Sequence, residues 1–191
     1  HNTVAPGDYH FDVVVGVMGV KSDPQQSAPK KFDFNSVLPA PTGDTPTMAG
    51  YIGVKRTDIF DTTKGYGWDA SICCTWHTTG GPTQMVDLLR DAHLGATGHT
   101  GSRVFSVKME PNAPYKVLLH FYSSSTRDQI SVFNADAAQE GVTGIALMAN
   151  THVQKEFSMN SGQDGIVKLK IRDNGGQNGV WIINGLEVTR Q

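Results

Sequence analysis

The sequence predicts an all-β fold, an antiparallel two-sheet β-sandwich (jelly roll) with one short helix. Three observations lead there. Short runs rich in β-branched and aromatic residues recur along most of the chain. Turn-forming clusters such as Pro111-Asn112-Ala113-Pro114, Ser161-Gly162-Gln163-Asp164 and Asn174-Gly175-Gly176-Gln177 separate them. Glycine supplies 21 of the 191 residues, against an ordinary share of about 7%. Strands of this length at this spacing, joined by glycine-rich turns, suit a sandwich.

Taken in order, residues 10–18 read as a first strand, β-branched and short. Residues 22–48 carry Pro24, Pro29, Pro39, Pro41 and Pro46, and only 31–35 alternates well enough to be a strand. Phe32 and Phe34 within it call for burial. Residues 1–30 are therefore read as an N-terminal strand and arm, the remnant of a neighbouring domain, and 31–191 as the sandwich domain. Strand candidates follow at 51–54, 70–76, 103–109, 115–121, 128–133, 144–148, 153–159, 165–171 and 179–188. Residues 84–93 read as a helix of a turn or two, with apolar side chains at 85, 86, 88, 89 and 92.

Composition narrows the function. Sixteen Lys and Arg against eighteen Asp and Glu give a net charge of −2, without the basic surplus of an electrostatic nucleic-acid binder. No apolar run reaches the length of a membrane span, about 18 residues. The chain opens on His1 with no leader pattern, the expectation being that any secretion signal has been removed or never belonged to it. Cys73 and Cys74 are adjacent. Consecutive Cα atoms lie ~3.8 Å apart, whereas disulfides prefer ~4.4–6.8 Å, so two small side chains on opposite faces of a strand are favoured over a strained vicinal bridge.

No nucleophile elbow, phosphate loop or zinc spacing is present. Polar and aromatic residues gather instead in segments read as loops: 64–69 with Tyr66 and Trp68, 76–81 with Trp76 and His77, and the Asn- and Gly-rich turn with Asn178 before Trp181. Sugar rings present apolar C–H faces and a rim of hydroxyls, which an aromatic platform and nearby amide, guanidinium or imidazole groups would engage. Trp68 is balanced between platform and plug, Trp181 is favoured as a plug, and His77 leans toward binding. Arg90 leans toward pairing with a neighbouring acid, but its fork also suits a uronate carboxylate or sulfate ester. Arg127-Asp128 raises the same question.

Gly50-Tyr51-Ile52-Gly53-Val54, then Lys64-Gly65-Tyr66-Gly67-Trp68, Asp87-Leu88-Leu89-Arg90-Asp91 and Tyr115-Lys116-Val117 form an ordered pattern. It closes on Trp181-Ile182-Ile183-Asn184-Gly185-Leu186-Glu187-Val188. From about residue 31 to 190 it resembles galactose-binding-like β-sandwich modules of secreted polysaccharide-degrading enzymes, including malectin-like domains and the amino-terminal modules of pectin esterases. The resemblance implies a secreted, bacterial, non-catalytic carbohydrate-binding module that holds a tethered catalytic domain on its polysaccharide. It implies ligand residues in the loops at one end, where Tyr66, Trp68, His77 and Asn178 would converge, with Trp76 and Arg90 beside them. It also implies a structural Ca²⁺ gripped by Asp33 and Glu187, from the first and last strands of the domain. The strand before residue 20 and the Cys73-Cys74 pair depart from the pattern.

Two further functions stay open. A small jelly-roll polysaccharide lyase would draw a base and a charge-neutralising group from Tyr66, His77, Arg90 and His93. A structural module would dock through the proline-rich segment 24–47 and bind nothing.

Overall fold

The computed structural model describes residues 28–36, 44–79, 83, 85–95, 101–138, 140–176 and 178–191. The strand expected at 10–18, and with it most of the N-terminal arm, lies outside the described residues. The chain forms β1 (Lys30–Phe34), β2 (Ile52–Val54), β3 (Tyr66–Trp68), β4 (Cys74–His77), α1 (Val86–Leu89) and β5 (Asp91–Leu94). It continues through β6 (Arg103–Lys108), β7 (Pro114–Phe121), β8 (Arg127–Asn134), β9 (Gly141–Leu147) and β10 (Val153–Asn160). It ends with β11 (Ile166–Asp173), β12 (Ile182–Ile183) and β13 (Gly185–Arg190).

One five-stranded sheet has the order β10-β7-β13-β1-β2, a second β3-β6-β11-β8-β9, and a small third sheet β12-β5-β4. All named pairings are antiparallel except β1 with β2. The two large sheets bury one continuous core. Period-two alternation produces it: on β11, Val167, Leu169 and Ile171 point inward and Lys168, Lys170 and Arg172 outward. Phe34 from the first sheet meets Trp68 and Phe105 from the second, with ring centroids 5.4 and 5.1 Å away. The all-β sandwich read from the sequence is the fold observed.

Three elements differ from the sequence reading, each for a local reason. The helix expected over 84–93 is confined to Val86–Leu89, because Asp91–Leu94 pairs as a strand with β4 and β12. The buried Asn184 side chain fixes this boundary. Its amide donates to Leu89 O and Asp91 O, and its oxygen accepts Tyr122 N–H. Asn184 also breaks the strand expected over 179–188 into β12 and β13, which belong to different sheets.

Residues 64–69, expected as a loop, contain the edge strand β3. The backbone of 58–60 crosses it, with Phe60 N–H on Trp68 O and Trp68 N–H on Asp58 O, both at 2.8 Å. Gly67, at φ 146°, permits that approach, since a Cβ there would sit 2.5 Å from the Ile59 and Phe60 backbone.

Candidate functional site

Edge-strand pairing decides the fate of the predicted aromatic platform. Trp68 has no solvent exposure. It packs on Phe105 and Phe34, stacks at 5.8 Å on Trp181, and donates its indole N–H to His93 Nδ1 at 3.0 Å. It is a core plug, and the platform expectation for it is corrected. Trp181 is 1% exposed and plays the same part. His93, expected as a candidate base, is also fully buried. Its Nδ1 accepts from Trp68, so Nε2 carries the proton and donates to Asn35 O at 3.1 Å. Burial drives its pKa down to about 4, which keeps the ring neutral and sealed from any substrate.

The other predicted residues do not converge. Tyr66 pairs with Val107 near the far end of β6, packs on Phe32 at 5.2 Å and lies beneath the Lys64 ammonium at 4.4 Å. Trp76, His77 and Arg90 gather instead around α1. There Trp76 packs on Tyr122 at 5.9 Å, and Arg90 Nη2 meets Asp87 Oδ1 at 2.5 Å. Their neighbours are two fully buried carboxyls, Asp33 and Asp91. Asp33 accepts Met48 N–H at 2.7 Å, while Asp91 accepts the Thr45 hydroxyl and, at 3.4 Å, Ser36 N–H. Together they strap the chain around residues 45–48 against β1 and β5. Desolvation, reinforced by Asp91, raises Asp33 to about 8, and desolvation raises Asp91 to about 7. This cluster is scaffold.

The predicted calcium pair does not fit a calcium ion. Asp33 lies across from Gly185 in the β1–β13 register, while Glu187 lies across from Lys31. Glu187 is already engaged by the Lys31 ammonium at 2.8 Å, the Tyr51 hydroxyl, and His120 Nε2 at 3.3 Å. His120 in turn stacks on His152. A hard cation seeking about six to eight oxygen ligands would compete there with an ammonium group. Among the described residues no three His, Cys, Asp or Glu side chains are placed to hold a metal.

Among the hollows the fold leaves open is a cleft at the rim of the sandwich. It consists of two adjoining hollows that share Leu94 and Gly95. The first, of about 260 Å³, is walled by Ile72, Cys73 and Leu94, floored by the edge of Trp181, and flanked by Arg103. The second, of about 240 Å³, lies between Cys74, Ser125, Arg127, Asn178 and Val180. The starts of β4, β6 and β8, the end of β5 and the approach to β12 all reach this rim. Gly95 is required there because a Cβ would fall 2.6 Å from Trp181 Nε1. Trp181 Nε1–H is anchored on Gly101 O at 3.2 Å.

Of the predicted ligand residues, Asn178 alone lines the cleft. Cys73 is exposed and Cys74 half-buried, with their sulfurs 2.6 Å apart. They form the wall between the hollows rather than opposite faces of a buried strand. Arg103 and Arg127, the cleft's cations, come from strand starts 24 residues apart. Besides Asn178, the Arg127-Asp128 dipeptide is the sequence signal that points there, and nothing in the sequence marks Arg103.

Neither a protein-family model nor a curated protein matches the chain. Its fold is similar to that of the protein YxiM of Bacillus subtilis, with TM-score 0.58 and 22% identity over 85% of this chain and 40% of that one. It is also similar to the ANXUR1 extracellular domain of Arabidopsis thaliana, with TM-score 0.59 and 13% identity over 84% of this chain and 47% of that one. A third similarity is to a structure of the plant peptide RALF23 in complex with FER and LLG2, with TM-score 0.55, 14% identity and coverage of 84% and 48%. The chain thus spans less than half the length of each. The likeness is one of fold.

Proposed function

We propose that the chain is a non-catalytic, extracellular saccharide-binding module whose ligand lies in the rim cleft. The observation that carries this reading is the cleft's lining. Ile72, Leu94 and Val180 offer apolar surface for the C–H face of a sugar ring, and Ser125, Asn178 and two arginines offer hydrogen bonds to its substituents. Among the described residues, the lining includes no carboxyl and no imidazole. General acid–base cleavage of a glycosidic bond finds no proton carrier among them. The lyase reading loses His93, sealed in the core, and Tyr66, which stands apart from Arg90, and keeps only His77 and Arg90, which lie near α1 and away from the cleft. Such a module serves an attached catalytic domain by raising the local concentration of polymer, for which modest affinity is enough.

Electrophoresis through gels cast with different polysaccharides tests the reading. The chain is expected to be retarded by at least one polymer without releasing new reducing ends or unsaturated products. Ser125→Trp, at an exposed position on the second hollow, should abolish the retardation without altering the fold. Trp76→Ala should leave it in place. Retardation that survives Ser125→Trp and disappears with Trp76→Ala would move the site to the α1 face, and released products would make the chain an enzyme.

A further inference from the structure

Arg127 is the most informative side chain of the cleft. Its Nε donates to Ser123 Oγ at 3.0 Å and its Nη1 to Val180 O at 2.9 Å. Both partners are neutral, and among the described residues no carboxylate stands within ion-pair distance of the guanidinium. Burial lowers its pKa, and the Asp173 carboxylate offsets that only in part. Asp173 Oδ1 accepts Gly175 N–H, and its buried Oδ2 has no hydrogen-bond partner among the described residues.

An arginine carries five N–H groups. Two are spent on fixing the side chain, which leaves three on a half-buried, oriented fork lining the second hollow. A guanidinium withdrawn from water without a counter-ion is costly unless an anion completes it. The fixed fork matches a planar carboxylate or one edge of a sulfate. Asn178, beside it, is itself pinned by its Nδ2 donating to Thr126 O at 2.6 Å. Its amide oxygen accepts no hydrogen bond from the described residues and is placed to take one from a sugar hydroxyl.

We infer that the hollow at Arg127 is an anion subsite, taking the carboxylate or sulfate ester of an acidic saccharide whose ring extends over Leu94 and Gly95 into the neighbouring hollow. The second half of that statement rests on the proposed saccharide-binding function; the anion subsite stands on Arg127 alone. Arg103 is the second cation of the cleft, held only loosely by Asp69 at 4.0 Å, and serves a repeating acidic chain better than a single charged residue.

The test compares ligands on the wild-type chain before it relies on any variant. Titration calorimetry would use a galacturonate oligosaccharide, its carboxyl-reduced form and a sulfated neutral oligosaccharide. The arginine Nε–Hε NMR signals would be followed in parallel with inorganic sulfate. An acidic oligosaccharide should bind at least ten-fold more tightly than its neutral form, and the Arg127 signal should shift with sulfate. Whichever of uronate and sulfate ester binds more tightly identifies the natural group.

Arg127→Gln should weaken the acidic ligand by about 10- to 100-fold, the range of a charge-assisted hydrogen bond, and bring it level with the neutral one. Arg127→Lys should fall between. If the acidic and reduced oligosaccharides bind equally, the anion subsite is wrong and the saccharide module stands. If sulfate shifts Arg127 but no saccharide binds, the module is wrong and the subsite stands. If neither binds, both are overturned. Should Arg127→Gln prove unstable, the wild-type comparison of acidic and reduced ligands still decides.

Discussion

Truncation of Trp68 to alanine is expected to lower the melting temperature by roughly 10 °C while sparing ligand binding in whatever fraction stays folded. The indole has no exposure and joins both large sheets through Phe34, Phe105 and Trp181. Removing a core aromatic costs about 3–5 kcal/mol, and a domain of this size loses about 2–4 °C per kcal/mol. A second loss compounds the first. His93 Nδ1 would lose its donor in a fully buried setting, which adds about 1–3 kcal/mol. Trp68→Phe helps to separate the two, since it keeps an aromatic ring in the core at a smaller loss of volume while removing the N–H. Thermal melts of the three proteins check this. A Trp68→Ala chain with an unchanged melting temperature and no ligand retention would restore the platform role.

The buried carboxyl pair is expected to make the protein less stable as pH rises through neutrality. In the unfolded chain Asp33 and Asp91 release their protons near the ordinary value of 3.8, whereas the fold holds them until about 8 and about 7. Between those limits the native state binds more protons than the unfolded state, so stability falls with increasing pH. It is fully present below about pH 4 and is lost as pH climbs through the folded values.

The desolvated histidines act in the opposite sense. His93, His120 and His152 are all held below their ordinary value by desolvation, so their contribution is present above 6.5 and lost as pH drops. The carboxyl pair is therefore seen most cleanly between pH 6.5 and 8.5, where about 2 kcal/mol should disappear. Asp33→Asn should flatten that slope and raise the melting temperature at pH 8.5 relative to wild type. A slope unchanged by Asp33→Asn, or rising with pH over that interval, would contradict the assignment.

Much of the scaffold was legible because alternation is a local property. The strands at 103–109, 115–121, 128–133, 153–159 and 165–171 fall within a residue or two of the observed β6, β7, β8, β10 and β11. The helix failed because its boundary is set by Asn184, nearly a hundred residues away, whose amide takes the carbonyls of Leu89 and Asp91. The segment Tyr66-Gly67-Trp68 resembled a loop because it is short and flanked by glycine. Its burial depends on the crossing backbone of 58–60 and on core partners supplied by two sheets.

The candidate site was harder still. Its lining comes from five separated segments between Ile72 and Trp181, and no window of sequence contains more than a fragment of it. Attention to aromatic residues led toward the core, because Trp68 and Trp181 fill space rather than display a face. The arginines that define the cleft's chemistry carry no local pattern to distinguish them from the arginine that pairs with Asp87.

Amide chemical-shift mapping with an acidic oligosaccharide addresses the central claim most directly. The account predicts perturbations concentrated at residues 72–74, 94–95, 101–103, 123–127 and 178–181, with Tyr66, Trp76, His77 and Arg90 unmoved. Perturbations centred on Trp76, His77 and Arg90 around α1, with the Arg127 rim silent, would contradict it.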